Sequence, residues 1–241
     1  MEMIYNIKSD TFDILGQGLR NGDLVAVCNA VEYLRQEKKD PTIQFYMPPK
    51  IIHGQEYCHK FFSFLTQQTD YFSIQPSDTT LSWKKVMLWD FRDISGDLVK
   101  IPNTKEMKNK LVVFPIYDAQ YNTNRNWNPD MFTRLLLFCN YQYPDHEKIV
   151  CAKDDMQDTI DLCGFEMSTD FLTNVNHILD AEVYIGGDTG MSHFASALDR
   201  GPKELIYYYN SRGMIHTLPF YALEGKGKVN KFWMNFEGTT F

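Results

Sequence analysis

"DAEVYIGGDTGMSHFASALD", residues 180–199, carries the joint from which the fold class of this chain is read. An apolar run, Ala181 to Ile185, breaks at Gly186-Gly187; Asp188, Thr189 and Gly190 follow, and "MSHFASALD" continues as a helix-like pattern containing His193. A parallel strand that ends in this way places free backbone N–H groups and the positive end of a helix dipole at the carboxyl edge of a sheet, which is an anion site. Thr189 adds a hydroxyl donor, and Gly190 lets a ligand approach the backbone closely. The same spacing also suits a plainer reading, in which Asp188 or Thr189 caps the helix and His193 packs in the core. Spacing alone leaves both open.

Outward from this joint, short β-rich runs alternate with amphipathic stretches, the pattern of parallel strands joined by helical crossovers. In the first half, "GDLVAVCNAVEYLRQEKK" sets Leu24, Val27, Cys28, Val31 and Leu34 on one helical face, and "TIQFYMPP" reads as a strand closed by prolines. "HKFFSFLTQQ" continues as helix, "YFSI" and "KKVMLWDF" as strands. The polar, lysine-rich "SGDLVKIPNTKEMKNK" marks a crossing between two domains, residues 1–105 and 106–241. Beyond it come the strand "KLVVFP", the helix "NPDMFTRLLLFC" and the strand "EKIVCA". The helices "DDMQDTIDLC" and "LTNVNHILD" lead to the joint, and "ELIYYY" is a further strand. In "NPDMFTRLLLFC", Asn128 is placed to cap, Pro129 to occupy the first turn, and Met131, Phe132, Leu135, Leu136 and Cys139 to form one stripe.

A chain of 241 residues is long enough to bury a real core, and its net charge of −7 argues against coating nucleic acid by bulk charge. Its five cysteines, none in C-x-x-C spacing, read as buried thiols in a reducing compartment. "MEMIYNIKSD" lacks a basic and then apolar leader, and no apolar run approaches the roughly 20 residues that a bilayer requires. The expectation is a cytoplasmic protein without a membrane span, in the host cytoplasm if phage-encoded.

Two further stretches place chemistry at element ends. "YNTNRNWNP" follows a strand and precedes a helix, so Arg125 stands where a forked guanidinium can meet phosphate oxygens; the alternative is a solvated loop arginine with Trp127 as an anchor. "RNGDLVAVCNAVEYL" sets Gly22-Asp23 at a helix start, where Asp23 is either a cap or a carboxylate facing a cleft, able to take a proton from a hydroxyl.

Taken in series, Gly22-Asp23, Arg125-Asn126-Trp127 and "DAEVYIGGDTGMSHFASAL" resemble glycosyltransferase family nine, the ADP-heptose heptosyltransferase-like proteins. In that family a G-D, a basic-x-W and a D-[ST]-G-x-x-H-x-A-A motif occur in this order. The resemblance spans about residues 14 to 220, although "VFPIYDAQYNTN" replaces the family's glycine-containing stretch. It implies a GT-B fold of two facing Rossmann-like domains with parallel sheets. It further implies Asp23 as the base for an acceptor hydroxyl, Arg125 as a donor-phosphate ligand and Asp188, Thr189 and Gly190 as the loop holding a nucleotide sugar. Gly22, Gly187 and His193 support these residues. The implied activity is inverting transfer, in which a sugar moves from a nucleotide-sugar co-substrate to a hydroxyl, with no other cofactor.

A helix N-terminus plus arginine supplies the charge stabilisation that such transfer needs, and no two aspartates are spaced D-x-D, so no metal is expected. The acceptor is either a lipopolysaccharide-type glycan or a hydroxymethylated base in DNA, as in phage DNA-modifying glycosyltransferases. In the tail "LEGKGKVNKFWMNF", Lys226, Lys228 and Lys231 interleave with Phe232, Trp233 and Phe236, a composition that suits either nucleic acid or a terminal element packed back on the first lobe. The reading from another class is a non-catalytic sugar-nucleotide-binding protein that keeps the phosphate loop without turnover.

Overall fold

Which strands run parallel is set by the length of chain between them. Only residues 7–10 separate β1 (Glu2–Asn6) from β2 (Thr11–Leu15), too few for a crossover, and the two strands pair antiparallel. The computed structural model describes residues 2–6, 11–15, 21, 22, 24, 25, 28, 42–46, 56–69, 74, 75, 84–87, 101–116, 126–152, 154–187, 189–209 and 231–234. Within these, the chain divides into two units, Met1–Pro102 and Asn103–Phe241.

The first unit holds a sheet in the order β4-β3-β2-β1-β5, with β3 at Thr42–Tyr46, β4 at Ile74–Gln75 and β5 at Lys84–Met87. β2, β3 and β4 run parallel, whereas β1 is antiparallel to both β2 and β5. The expectation of a parallel sheet is therefore corrected here at β1 and β5. Helical residues lie between β2 and β3, where Leu24, Val25 and Cys28 are buried, and α1 (Glu56–Gln68) lies between β3 and β4. In α1, Phe61, Phe62 and Leu65 are buried while Ser63, Gln67 and Gln68 are exposed, the one-sided pattern of a helix laid on a sheet.

Among the described residues of the second unit, every strand pairing is parallel. Its strands are β6 (Lys108–Phe114), β7 (Glu147–Cys151), β8 (Glu166–Ser168), β9 (Ala181–Gly186), β10 (Glu204–Tyr209) and β11 (Lys231–Met234). They lie in the order β11-β10-β9-β6-β7-β8. The chain thus winds outward from β6 through β7 to β8, returns to the other side of β6, and winds outward again from β9 to β11. This is the doubly wound 3-2-1-4-5-6 order, and its switch point lies between β6 and β9. The described part of the tail is β11, in which Phe232 stands beside Tyr207 and Trp233 beside Tyr208; Lys226, Lys228 and Phe236 lie outside the described residues.

Among the described residues, the helices between these strands are α2 (Pro129–Gln142), α3 (Gln157–Leu162), α4 (Phe171–Asp180) and α5 (Gly190–Ala197). The α2 stripe of Phe132, Leu135, Leu136 and Cys139 packs with Val113, Val150, Ile185 and Tyr208 in one buried cluster. At the amino edge of the sheet, Lys110 is buried and its Nζ donates to Asp180 Oδ1 at 2.8 Å, with His177 Nδ1 3.2 Å away. Lys108 reaches the other Asp180 oxygen at 2.9 Å. Burial pushes the Asp180 carboxyl up, but hydrogen bonds from Lys110 and Lys108 outweigh burial and hold it below its usual range. For His177, burial and then the Lys110 charge hold the imidazole below its usual value.

Cys28, Cys139, Cys151 and Cys163 are buried free thiols, and burial pushes each of them up, Cys139 to about 12. No helix among the described residues is long and apolar enough to cross a membrane.

Candidate site at the switch point of the second sheet

Two adjacent strands ending side by side build the site. β9 stops at Gly186, and α5 begins at Gly190 with Thr189 as its cap. Thr189 has an extended backbone, and its Oγ1 accepts from Ser192 N at 3.3 Å. Its carbonyl accepts from Ser192 N at 3.1 Å and from His193 N at 3.3 Å. The capping reading of Thr189 is thus correct, and His193 is buried within the first turns of α5. Capping does not exhaust the joint, because the helix start still stands at the carboxyl edge of a doubly wound sheet, beside its switch point.

Each of the two glycines has its own steric reason. A methyl group on Gly186 would lie 2.5 Å from the Tyr184 hydroxyl and 2.6 Å from Ser192 Oγ, so the absent side chain leaves room for a buried hydroxyl cluster. A methyl on Gly187 would lie 2.6 Å from Ile116 Cδ1 and 3.2 Å from Trp127 Nε1. Gly187 therefore seats the end of β6 and the entry to α2 directly against the β9–α5 turn.

Trp127 fixes that second wall. Its backbone N–H donates to Ile116 O at 2.6 Å, tying the start of α2 to the end of β6. Its ring meets Tyr208 of β10 edge-on, with centroids 4.8 Å apart. Just beyond, Asn128 Oδ1 accepts from Asp130 N at 2.9 Å, and Pro129 fills the first helical turn, so α2 also starts at this edge. Asn126, which adjoins Arg125 in sequence, is half-buried beside this anchor.

Of the residues singled out in the sequence, the structure brings Gly187, Thr189, Gly190 and His193 together in one turn and helix start. Gly22 is half-buried in the first unit, and both it and Asn21 are already helical, which corrects the expected helix start at Gly22-Asp23 to an earlier one. Asp23, Arg125 and Asp188 lie outside the described residues. The sequence reading did not single out Tyr184 and Ser192 or the contact between Gly187 and Trp127. For Tyr184 a signal existed, since positions 184 and 186 share one face of a strand and a glycine two residues on makes room for a large neighbour.

The hydroxyl cluster can be assigned donor by donor. Ser192 Oγ lies 2.6 Å from Gly187 O, a carbonyl that only accepts, so Ser192 donates there. Its single proton is then used, and at the 3.1 Å contact with Tyr184 the phenol is the donor. Burial pushes the Tyr184 phenol well up, which keeps that proton in place. Gly187 O also accepts from Thr189 N at 2.8 Å. Both lone pairs of that carbonyl are occupied from within the protein.

No family model matches this chain, and no curated protein does. Among solved structures it is similar to the ADP-heptose LPS heptosyltransferase II of E. coli, with a TM-score of 0.55 and 10% sequence identity, over 92% of this chain and 90% of that chain. At that identity the likeness is one of fold, and the chain is an α/β protein with a GT-B-like glycosyltransferase fold.

Proposed function

We propose that this protein is a glycosyltransferase that moves a sugar from a nucleotide-sugar donor to a hydroxyl acceptor, with inversion and without a metal. One observation carries the reading: the Gly187–Gly190 turn and the start of α5 stand at the carboxyl edge of a 3-2-1-4-5-6 sheet, next to its switch point. In doubly wound sheets that crevice is where nucleotide diphosphates bind, and a helix start favours their charge. The fold shared with a heptosyltransferase adds support.

In this mechanism the acceptor oxygen attacks the anomeric carbon as the bond from that carbon to the diphosphate oxygen breaks. Asp23 takes the acceptor proton. The nucleoside diphosphate leaves with the bonding electron pair, and its developing charge meets the N–H groups at the start of α5 together with Arg125. Asp188, Thr189 and Gly190 form the turn around the diphosphate, with Gly22, Gly187 and His193 in support. The name of the structural neighbour favours a glycan acceptor; hydroxymethylated DNA is the second acceptor class to test.

Thermal unfolding with ADP, GDP, UDP or CDP in EDTA tests donor binding. A ligand that binds only the folded state at 100 times its dissociation constant adds about 2.7 kcal/mol of stability, so one nucleotide of the panel raises the melting temperature. No shift with any of the four overturns the reading, and a shift that requires divalent metal overturns its metal-free part.

A further inference from the structure

We propose that Ser192 and Tyr184 are positioning residues for the donor diphosphate, acting through the Gly187 carbonyl and the Thr189 hydroxyl; this rests on the proposed donor site. An anion-binding turn must present N–H and O–H groups outward and keep its carbonyl oxygens inward, because a carbonyl dipole aimed at a phosphate repels it. In this turn the Gly187 carbonyl is held by two donors, Ser192 Oγ at 2.6 Å and Thr189 N at 2.8 Å. The Ser192 hydroxyl proton is committed to that bond, and the Tyr184 proton to Ser192.

The third hydroxyl closes the cluster. Thr189 Oγ1 accepts from Ser192 N at 3.3 Å, and because the Ser192 proton is already committed, Thr189 is the donor across its 3.3 Å contact with Ser192 Oγ. Tyr184 and Ser192 are buried, whereas Thr189 is half-exposed. The cluster therefore turns its hydroxyl protons toward the protein and pins both the Gly187 carbonyl and the Thr189 side chain in the turn. Gly186 permits this arrangement, since a methyl there would strike both Tyr184 and Ser192.

The test compares wild type, Ser192→Ala, Tyr184→Phe and Ser192→Thr by calorimetric titration with the nucleoside diphosphate that wild type binds, and by NMR titration with the matching nucleoside. Ser192→Ala weakens the diphosphate about tenfold, the effect of one misdirected hydrogen-bonding group on a charged ligand, and leaves the nucleoside unchanged. Tyr184→Phe gives a smaller loss in the same direction, and Ser192→Thr, which keeps the hydroxyl, restores most of the affinity. Equal losses for diphosphate and nucleoside, or an unchanged diphosphate affinity in both Ser192→Ala and Tyr184→Phe, overturn the positioning role alone. Wild-type protein that binds no nucleoside diphosphate overturns the donor site and this inference with it.

Discussion

Gly187→Ala is the substitution that most directly probes how the two walls of the switch point are joined. The new methyl would arrive 2.6 Å from Ile116 Cδ1, 3.3 Å from Ile116 Cγ1 and 3.2 Å from Trp127 Nε1. Trp127 has little room to yield, because its backbone N–H is bonded to Ile116 O and its ring is packed against Tyr208 and Phe132. Ile116 must move instead. Overpacking of this kind costs about 1–3 kcal/mol, offset by about 0.4–1 kcal/mol from the stiffer unfolded chain.

Ile116→Val removes the atom at 2.6 Å and costs about 0.5–1.5 kcal/mol alone, as a buried methylene lost. Together the two changes exchange one methyl for another in the same space. Denaturant unfolding of both single variants and the double variant should then show a double variant more stable than the sum of the singles implies, by about 1–2 kcal/mol. Additivity within about 0.5 kcal/mol would refute the seating of Gly187 against Ile116.

Two other predictions concern charge. Arg125→Ala should raise the donor dissociation constant at least about tenfold, as expected for a lost charge-assisted hydrogen bond, while the melting temperature barely moves; an unchanged constant in calorimetry would return Arg125 to the role of a solvated loop residue. Acidification should destabilise the second unit in two stages. The His177 imidazole is held below its usual value, so the unfolded chain takes up its proton first and stability falls as pH drops below about 6.5. Asp180 is likewise held low, so its contribution is present above its unfolded value and is lost as pH falls through the lower folded one. Asp180→Asn should abolish the second stage and cost about 1.5–3 kcal/mol at neutral pH, the loss of a charged hydrogen bond, since Glu147 stays 3.8 Å from the Lys110 ammonium. A pH-independent melting temperature between 3 and 7, taken as roughly the range of these groups, would contradict both assignments.

Much of the second unit is legible in its sequence because each element carries its own local signal. Asn128, Pro129 and the stripe from Phe132 to Cys139 declare α2, and all three features recur in the structure. The joint of β9 and α5 is equally plain, since the apolar run, the glycine pair and the capping threonine are consecutive. β8, three residues long, is too short to show a period, and β1 and β2 were not anticipated although β3 and β7, of the same five-residue length, were. The contact of Gly187 with Trp127 depends on which strands are neighbours, and the β9–β6 pairing joins segments separated by two other strands in sequence. No local pattern encodes that adjacency. The hydroxyl cluster escapes for a related reason: Ser192 reads as one more small residue on α5 until β9 sets Tyr184 against it.

The central claim is sugar transfer with Asp23 as the base, and the most direct measurement is mass spectrometry of acceptors incubated with a panel of nucleotide sugars in EDTA. Lipopolysaccharide core and hydroxymethylated DNA serve as acceptors, with wild type and Asp23→Asn compared side by side. Asparagine matches aspartate in size and shape, so the variant should keep its melting temperature and donor affinity. It lacks a proton acceptor, so transfer should fall by about 10²- to 10⁴-fold. The account predicts a wild-type product heavier by one sugar residue and almost none from Asp23→Asn; no product from any donor, or equal product from both proteins, would contradict it.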